Sequence, residues 1–191
     1  VAVSLGVFAP SVEHALSGAG WQANGSESVQ VRDIVDREFG GLSSTGLMVV
    51  VHTPDGKVSD PAAQAVIEKA SQILKGDDRI ATVVPPMQGS TLSRSGQTAV
   101  INAGAAADSN EMVRAVDDLK EQLVALGSDQ VQVAVTGASG MWSDFNTANR
   151  DAMLKSEVIS WPVTLAILVL AFGSLVAAGL PLLLTMVGLV A

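Results

Sequence analysis

Cysteine and tyrosine are both missing from this chain of 191 residues, and histidine occurs only at His14 and His52. Two histidines far apart, with no HxxxH or HExxH spacing, give a metal site or a His-based triad nothing to build on. The lack of Cys suits an extracytoplasmic domain that avoids unwanted oxidation, although it suits many other proteins equally. Basic residues are scarce: 11 Lys and Arg stand against 19 Asp and Glu, a net charge of −8. No basic stripe is available to displace counterions from phosphates, so nucleic acid is excluded as a partner. With 48% hydrophobic residues the chain is also too apolar to be disordered. Gly18-Ala19-Gly20 is too short for a dinucleotide fingerprint, and Gly137-Ala138-Ser139-Gly140 lacks the Lys of a phosphate-binding loop. Both read as hinges. With no catalytic constellation, the chain is not expected to be an enzyme, nor to hold a metal or cofactor.

The most informative absence is that of charge at one end. Every Asp, Glu, Lys and Arg falls between Glu13 and Glu157, and nothing from Val158 to Ala191 carries charge. A helix of that uncharged length would rise to roughly 50 Å at about 1.5 Å per residue, against about 30 Å for a hydrocarbon core. One span cannot use it all. Phe172-Gly173-Ser174 and Gly179-Leu180-Pro181 supply a break, with Pro181 suited to the first turn of a new helix. The expectation is a transmembrane helix over 157–173, then a short turn and the truncated start of another helix over 174–191, the latter beginning near Leu180. Residues 1–10 are uncharged too and stop at Pro10, without the Met and basic region of a signal peptide. They read as the end of a preceding transmembrane helix, and the natural protein is expected to continue past Ala191. Trp21 and Trp161 fall where amphipathic rings favour lipid headgroups. The turn has no Lys or Arg, so loop charge gives no orientation.

What lies between, over 11–156, reads as an α+β domain. Gly25-Ser26-Glu27 opens a helical stripe through Val29, Val31, Ile34, Val35 and Phe39 that stops at Gly40-Gly41. Leu47 to Val51 is a β-branched strand ended by Pro54-Asp55-Gly56. Asp60-Pro61 reads as N-cap and first-turn proline of a helix with Val66, Ile67, Ala70, Ile73 and Leu74 on one face, closed by Gly76. Ile80 to Val84 is a second strand and, beyond a Gly/Ser/Thr-rich loop from Met87 to Gly96, Thr98 to Ala103 is a third. Asp108 with Glu111 resembles a capping box for a helix that turns Met112, Val116, Leu119, Leu123 and Leu126 inward. Val131, Val133 and Val135 alternate as the last strand. The order βαββαβ is that of the ferredoxin-like fold, in which two helices cover one sheet face and leave the other free. Asp33, Asp36, Glu38, Asp117, Asp118 and Glu121 fall on polar helix faces as solvated charge. The stretch from Asp144 to Glu157 reads as a helix running without a stop into the span. Glu157, Trp161 and Pro162, where domain meets membrane, are therefore the candidate coupling hinge; Glu157 also fits a plain interfacial helix-end carboxylate.

An apolar helix end, the Gly25 to Phe39 block, a small βαββαβ domain and Val135-Thr136-Gly137 precede Ser156-Glu157-Val158-Ile159-Ser160-Trp161-Pro162. With the Val169 to Leu183 stretch, this order resembles the MMPL family of the resistance-nodulation-division (RND) superfamily. The resemblance covers essentially the whole chain and is most specific from Phe172 to Leu183. It implies an extracytoplasmic porter domain between transmembrane helices of a multi-pass protein of the plasma (inner) membrane. It implies export of lipids or of hydrophobic and amphipathic compounds, driven by the proton-motive force. Membrane lipids, such cargo and the rest of the same transporter chain, including a second porter domain, are the implied partners; self-association is open. In the family the proton is taken by intramembrane Asp residues paired with Tyr in later helices, and no residue here matches them. The Met87 to Gly96 loop would lie near the cargo path. Two other readings are carried: an RND-like auxiliary of protein secretion, and a membrane-anchored ligand-sensing or assembly module. The hairpin around Phe172 to Pro181 speaks against simple anchoring, for which one span suffices.

Overall fold

A computed structural model describes residues 25–42, 46–177, 179–180 and 183–184. The expected helix end over 1–10, together with His14, Gly18 to Gly20, Trp21 and Pro181, lies outside the described residues. The chain divides into two units, one ending at Asp144 and the other resuming at Phe145.

In the first unit, helix α1 (Glu27–Glu38) precedes strand β1 (Leu47–His52), helix α2 (Pro61–Lys75), strands β2 (Ile80–Val84) and β3 (Thr98–Ala105), helix α3 (Ser109–Val124) and strand β4 (Gln132–Gly137). The four strands form one antiparallel sheet in the order β2-β3-β1-β4. This is the arrangement that two βαβ units of the same hand produce when interleaved, with the first strands of each unit in the centre. The ferredoxin-like order expected from the sequence is therefore the observed one. Valine alternation decides the faces, because successive strand side chains point to opposite sides. Leu47, Val49 and Val51 of β1, Ala99, Ile101 and Ala103 of β3 and Val135 of β4 point into one core. Ala63, Ile67, Ala70 and Leu74 of α2 and Met112, Val116, Leu119 and Leu123 of α3 close over them, with Val66, Ile73 and Leu126 at the margin. On the opposite face Met48 stays exposed.

The helix starts differ in how they are capped. The Asp108 carboxylate accepts the backbone N–H groups of Asn110 and Glu111 at 2.8 and 3.0 Å, satisfying two otherwise unpaired donors of α3. The return half of a capping box is not made, since Glu111 turns instead to Arg114 at 2.5 Å. Asp60 occupies the N-cap position of α2, followed by Pro61 at N1, yet its side chain makes no cap bond. It reaches back to accept the Lys57 N–H at 2.8 Å, tying the preceding turn.

Helix α4 (Ala138–Phe172) starts directly at the end of β4 and continues beyond the boundary at Asp144. It begins before the Asp144 start read from the sequence. Gly137 makes this corner possible: its φ is +95°, and a Cβ there would sit 2.9 Å from the Gly46 carbonyl oxygen. Gly137 to Gly140, read as a hinge, is thus a strand-to-helix corner whose Ser139 and Gly140 are buried. At its far end α4 stops at Phe172, and Gly173, with φ +63°, donates its N–H to the Val169 carbonyl at 2.8 Å. Helical backbone resumes at Leu175, ahead of Leu180, because the Ser174 hydroxyl accepts the Ala177 N–H at 3.5 Å and so supplies a cap.

Candidate functional site

The three residues of the candidate coupling hinge all lie on α4. Glu157 and Trp161 are one helical step of four apart, and Pro162 follows directly. With Leu154, Val158 and Leu165 they line a hollow of about 440 Å³. Pro162 has no N–H for the Val158 carbonyl, and its ring crowds that turn. Two residues earlier, the Ser160 hydroxyl donates to the Glu157 carbonyl at 3.3 Å, a side-chain bond in competition with the helical ladder. Two recognised causes of helix bending therefore coincide within Glu157 to Pro162. Beyond Glu157 the helix carries no charge, and Val158, Ile159 and Leu170 are exposed to the extent of 74, 70 and 85%. A helix of 35 residues with such a face is long and apolar enough to cross a membrane.

Sequence reasoning missed the contacts at the foot of this helix. Ser139, Gly140 and Ser143 are its buried residues, small enough for the helix to pack closely. The Ser143 hydroxyl donates to Asp117 Oδ1 at 2.5 Å, and Lys120 Nζ pairs with Asp144 Oδ1, so two successive positions of α4 are fastened to α3. One residue further along α3, Asp118 accepts from Arg79 Nη1 at 2.8 Å. Arg79 in turn grips Asp77 with two parallel bonds of 2.7 and 2.9 Å, the planar fork matching the carboxylate. The Arg79 hydrogen bond holds Asp77 below the usual carboxylate range, and the Asp77 carboxylate raises the Arg79 guanidinium further above its own. Asp117 and Asp118, read as solvated charge, thus hold partners at the helix foot. The only sequence signal was the spacing of the small residues Ser139 and Ser143 at i and i+4.

A second missed device lies on the open face of the sheet. Gly40 and Gly41, with φ of +61° and +75°, turn the chain after α1 so that the Gly41 carbonyl accepts the Ala105 N–H at 2.8 Å. A Cβ on Gly41 would lie 2.0 Å from the Ala105 oxygen, and one on Gly104 would lie 2.2 Å from the Gly40 oxygen. Backbone meets backbone there, which only glycines allow. The stripe of α1 itself is not buried: Val31, Ile34 and Phe39 are exposed.

The Met87 to Gly96 loop is also ordered against β3. Ser93 donates its N–H to the Thr98 carbonyl at 2.9 Å, Val100 donates to Thr91 at 2.8 Å, and Leu92 bridges to Ala99. His52 bonds through Nδ1 to the Thr98 hydroxyl at 2.9 Å. Among the described residues no three His, Asp or Glu side chains gather as a metal site.

A βαββαβ unit followed by a long apolar helix agrees with the architecture the sequence resemblance implied. The MMPL family profile matches residues 20–191. The chain belongs to the MMPL family. Among the relatives of this MMPL chain, the Streptomyces coelicolor protein SCO6666, described as a membrane protein, is 28% identical over 169 residues, 86% of this chain and 23% of its own length. Bacillus subtilis membrane protein YdfJ is 24% identical over 165 residues, 85% of this chain and 22% of its own. Mycobacterium leprae MmpL3, described as a probable trehalose monomycolate exporter, is 27% identical over 194 residues, 92% of this chain and 20% of its own. The chain therefore spans about one fifth of the length of these relatives. A solved structure of the mycobacterial membrane protein MmpL11D2 is 20% identical, with a TM-score of 0.37 over 47% of this chain and 99% of that one. Family membership and the relatives' descriptions place this MMPL chain among membrane proteins.

Proposed function

We propose that this chain is the first porter segment of a multi-pass exporter in the plasma (inner) membrane, moving lipids or other hydrophobic and amphipathic compounds under the proton-motive force. In this reading the βαββαβ unit is extracytoplasmic, residues 1–10 end one transmembrane helix, 157–173 form the next, and 174–191 turn in the cytoplasm and begin another. The porter unit proper is then 11–156. The observation that carries the proposal is the continuity of α4, one helix from the Gly137 corner through its fastened foot at Ser143 and Asp144 to the uncharged stretch ending at Phe172. Val158 to Phe172 would rise only roughly 22 Å at 1.5 Å per residue. The 157–173 span is therefore short for about 30 Å of hydrocarbon, a mismatch met by snorkelling of the residues that flank it. Lys155 and Glu157 then sit at headgroup depth, where a long charged side chain reaches water.

The mechanism follows from that continuity. Protonation within the transmembrane bundle shifts the helices between two arrangements, and α4 hands the shift to the porter unit through α3. Glu157, Trp161 and Pro162 act as the coupling hinge, because the helical ladder is weakened there and the interface fixes the ring and the carboxylate. Support for lipid cargo comes from the description of the Mycobacterium leprae relative. The test is transport of a fluorescent lipid by the whole transporter in proteoliposomes with an imposed pH gradient. Transport is expected to stop with a protonophore, and Pro162→Ala or Glu157→Gln is expected to lower its rate severalfold without changing expression. Transport indifferent to the gradient would reject proton coupling, and unchanged rates in both variants would reject the hinge.

A further inference from the structure

The chain holds 19 acidic against 11 basic side chains, so a surface hollow with cations and no carboxylate is against the odds. One exists on the porter unit, between the turn before α2 and the loop after β2, with a volume of about 750 Å³. Lys57 and Arg94 line it together with Ser59, Ser90, Ser93 and Ser95. Among the described residues neither Lys57 nor Arg94 has an ion-pair partner, whereas Arg79, Arg114 and Lys120 are all engaged. Of the two acidic residues near Lys57 in sequence, Asp55 and Asp60, neither lines the hollow, and Asp60 uses a carboxylate oxygen on the Lys57 backbone N–H at 2.8 Å.

The two walls are tied to each other. Val58 donates its N–H to the Gly96 carbonyl at 2.9 Å, and the Lys57 methylenes pass about 3.9 Å from where a Gly96 Cβ would stand. Ser93 is held in turn by the Thr98 N–H on its hydroxyl at 3.0 Å and by the Gly96 N–H on its carbonyl at 2.9 Å. The arrangement joins a point charge, a planar guanidinium fork and several hydroxyls on an ordered frame, the donor set that suits tetrahedral oxyanions. We propose that this hollow binds a phosphate group, carried by a lipid headgroup or free in solution. The proposal rests on the hollow alone and stands independently of whether the whole protein exports cargo.

The test uses the intact chain in uncharged detergent, titrated calorimetrically with inorganic phosphate, with dihexanoyl phosphatidylglycerol and, as a zwitterionic control, with dihexanoyl phosphatidylcholine. Saturable binding of phosphatidylglycerol alone identifies the source as a lipid headgroup, and equal binding of inorganic phosphate identifies free phosphate. In either case the Lys57→Gln/Arg94→Gln double variant is expected to bind about tenfold or more weakly, the loss of two charge-assisted contacts. Arg94→Gln alone should fall between. Lys69→Gln/Lys75→Gln, which removes the same charge from exposed positions of α2, should bind as the unaltered chain does. Absence of binding by inorganic phosphate and phosphatidylglycerol alike, phosphatidylcholine binding as tightly as phosphatidylglycerol, or an equal loss in the control pair would overturn the proposal.

Discussion

The two units of this chain use the same apolar side chains to opposite ends. In the βαββαβ unit Leu74, Ile101 and Leu123 lose all contact with water, and the charge lies outside. Past Glu157 in α4, Leu170 and Val158 keep most of their surface exposed, and charge disappears altogether. The hydrophobic effect is the same in both; only the solvent that receives the apolar surface differs. In the first unit the receiving medium is the protein's own interior, so packing decides stability. In α4 the apolar stretch is defined by length and lack of charge, and among the described residues none of it is fully buried.

Truncation on each side gives the sharpest contrast. Leu74→Ala should destabilise the βαββαβ unit by about 2–5 kcal/mol through lost burial and the cavity left behind. Leu170→Ala should leave the denaturation midpoint of that unit unchanged, both being read by circular dichroism of the detergent-solubilised chain. A comparable loss at Leu170 would break the comparison. Next comes the glycine contact on the open sheet face. Gly104→Ala should cost about 1–3 kcal/mol by overpacking. It should also speed amide exchange at Ala105, whose N–H is held by Gly41. Removal of the α3 cap by Asp108→Ala should cost about 1 kcal/mol, seen as a shift in the same midpoint. The smallest effect is in acid. Asp77 is held below its ordinary value by the Arg79 hydrogen bond, so its ionised form stabilises the fold at pH above about 4, the unfolded value. That contribution is lost as pH falls through the depressed folded value. Arg79→Gln should flatten this part of the pH–stability curve while leaving the behaviour of α4 unaltered.

How far the fold could be read in advance depended on how local its cause was. The alternation of Val131, Val133 and Val135, the β-branched run from Leu47 to Val51 and the one-sided stripes of α2 and α3 all carry their period within a few residues. Those elements and their βαββαβ order were legible. Asp60 and Asp108 look alike in sequence, each an Asp before a helix, yet only Asp108 caps, because the Asp60 carboxylate is turned to the Lys57 N–H of the turn behind it. The Gly41–Gly104 contact brings α1 to the far end of β3, and nothing local in either segment announces it. That Glu157, Trp161 and Pro162 share one helix at the point where charge ends was legible, because the end of charge and an interior proline are both written locally. Ser143, Asp117, Lys120 and Asp144 were not, since their pairing needs α3 and α4 to lie side by side.

By itself, the sequence determined where apolar surface must go: a period of two or of 3.6 specifies one buried face, and a long uncharged run specifies a lipid environment. Only the tertiary structure decided which distant groups meet. The Arg79–Asp118 pair, the Gly41–Gly104 approach and the Lys57–Arg94 hollow each join segments whose separation in space is unrelated to their separation along the chain. Hydrophobic burial is non-directional and depends on pattern, whereas hydrogen bonds, ion pairs and close backbone contacts depend on geometry that exists only once the sheet has formed.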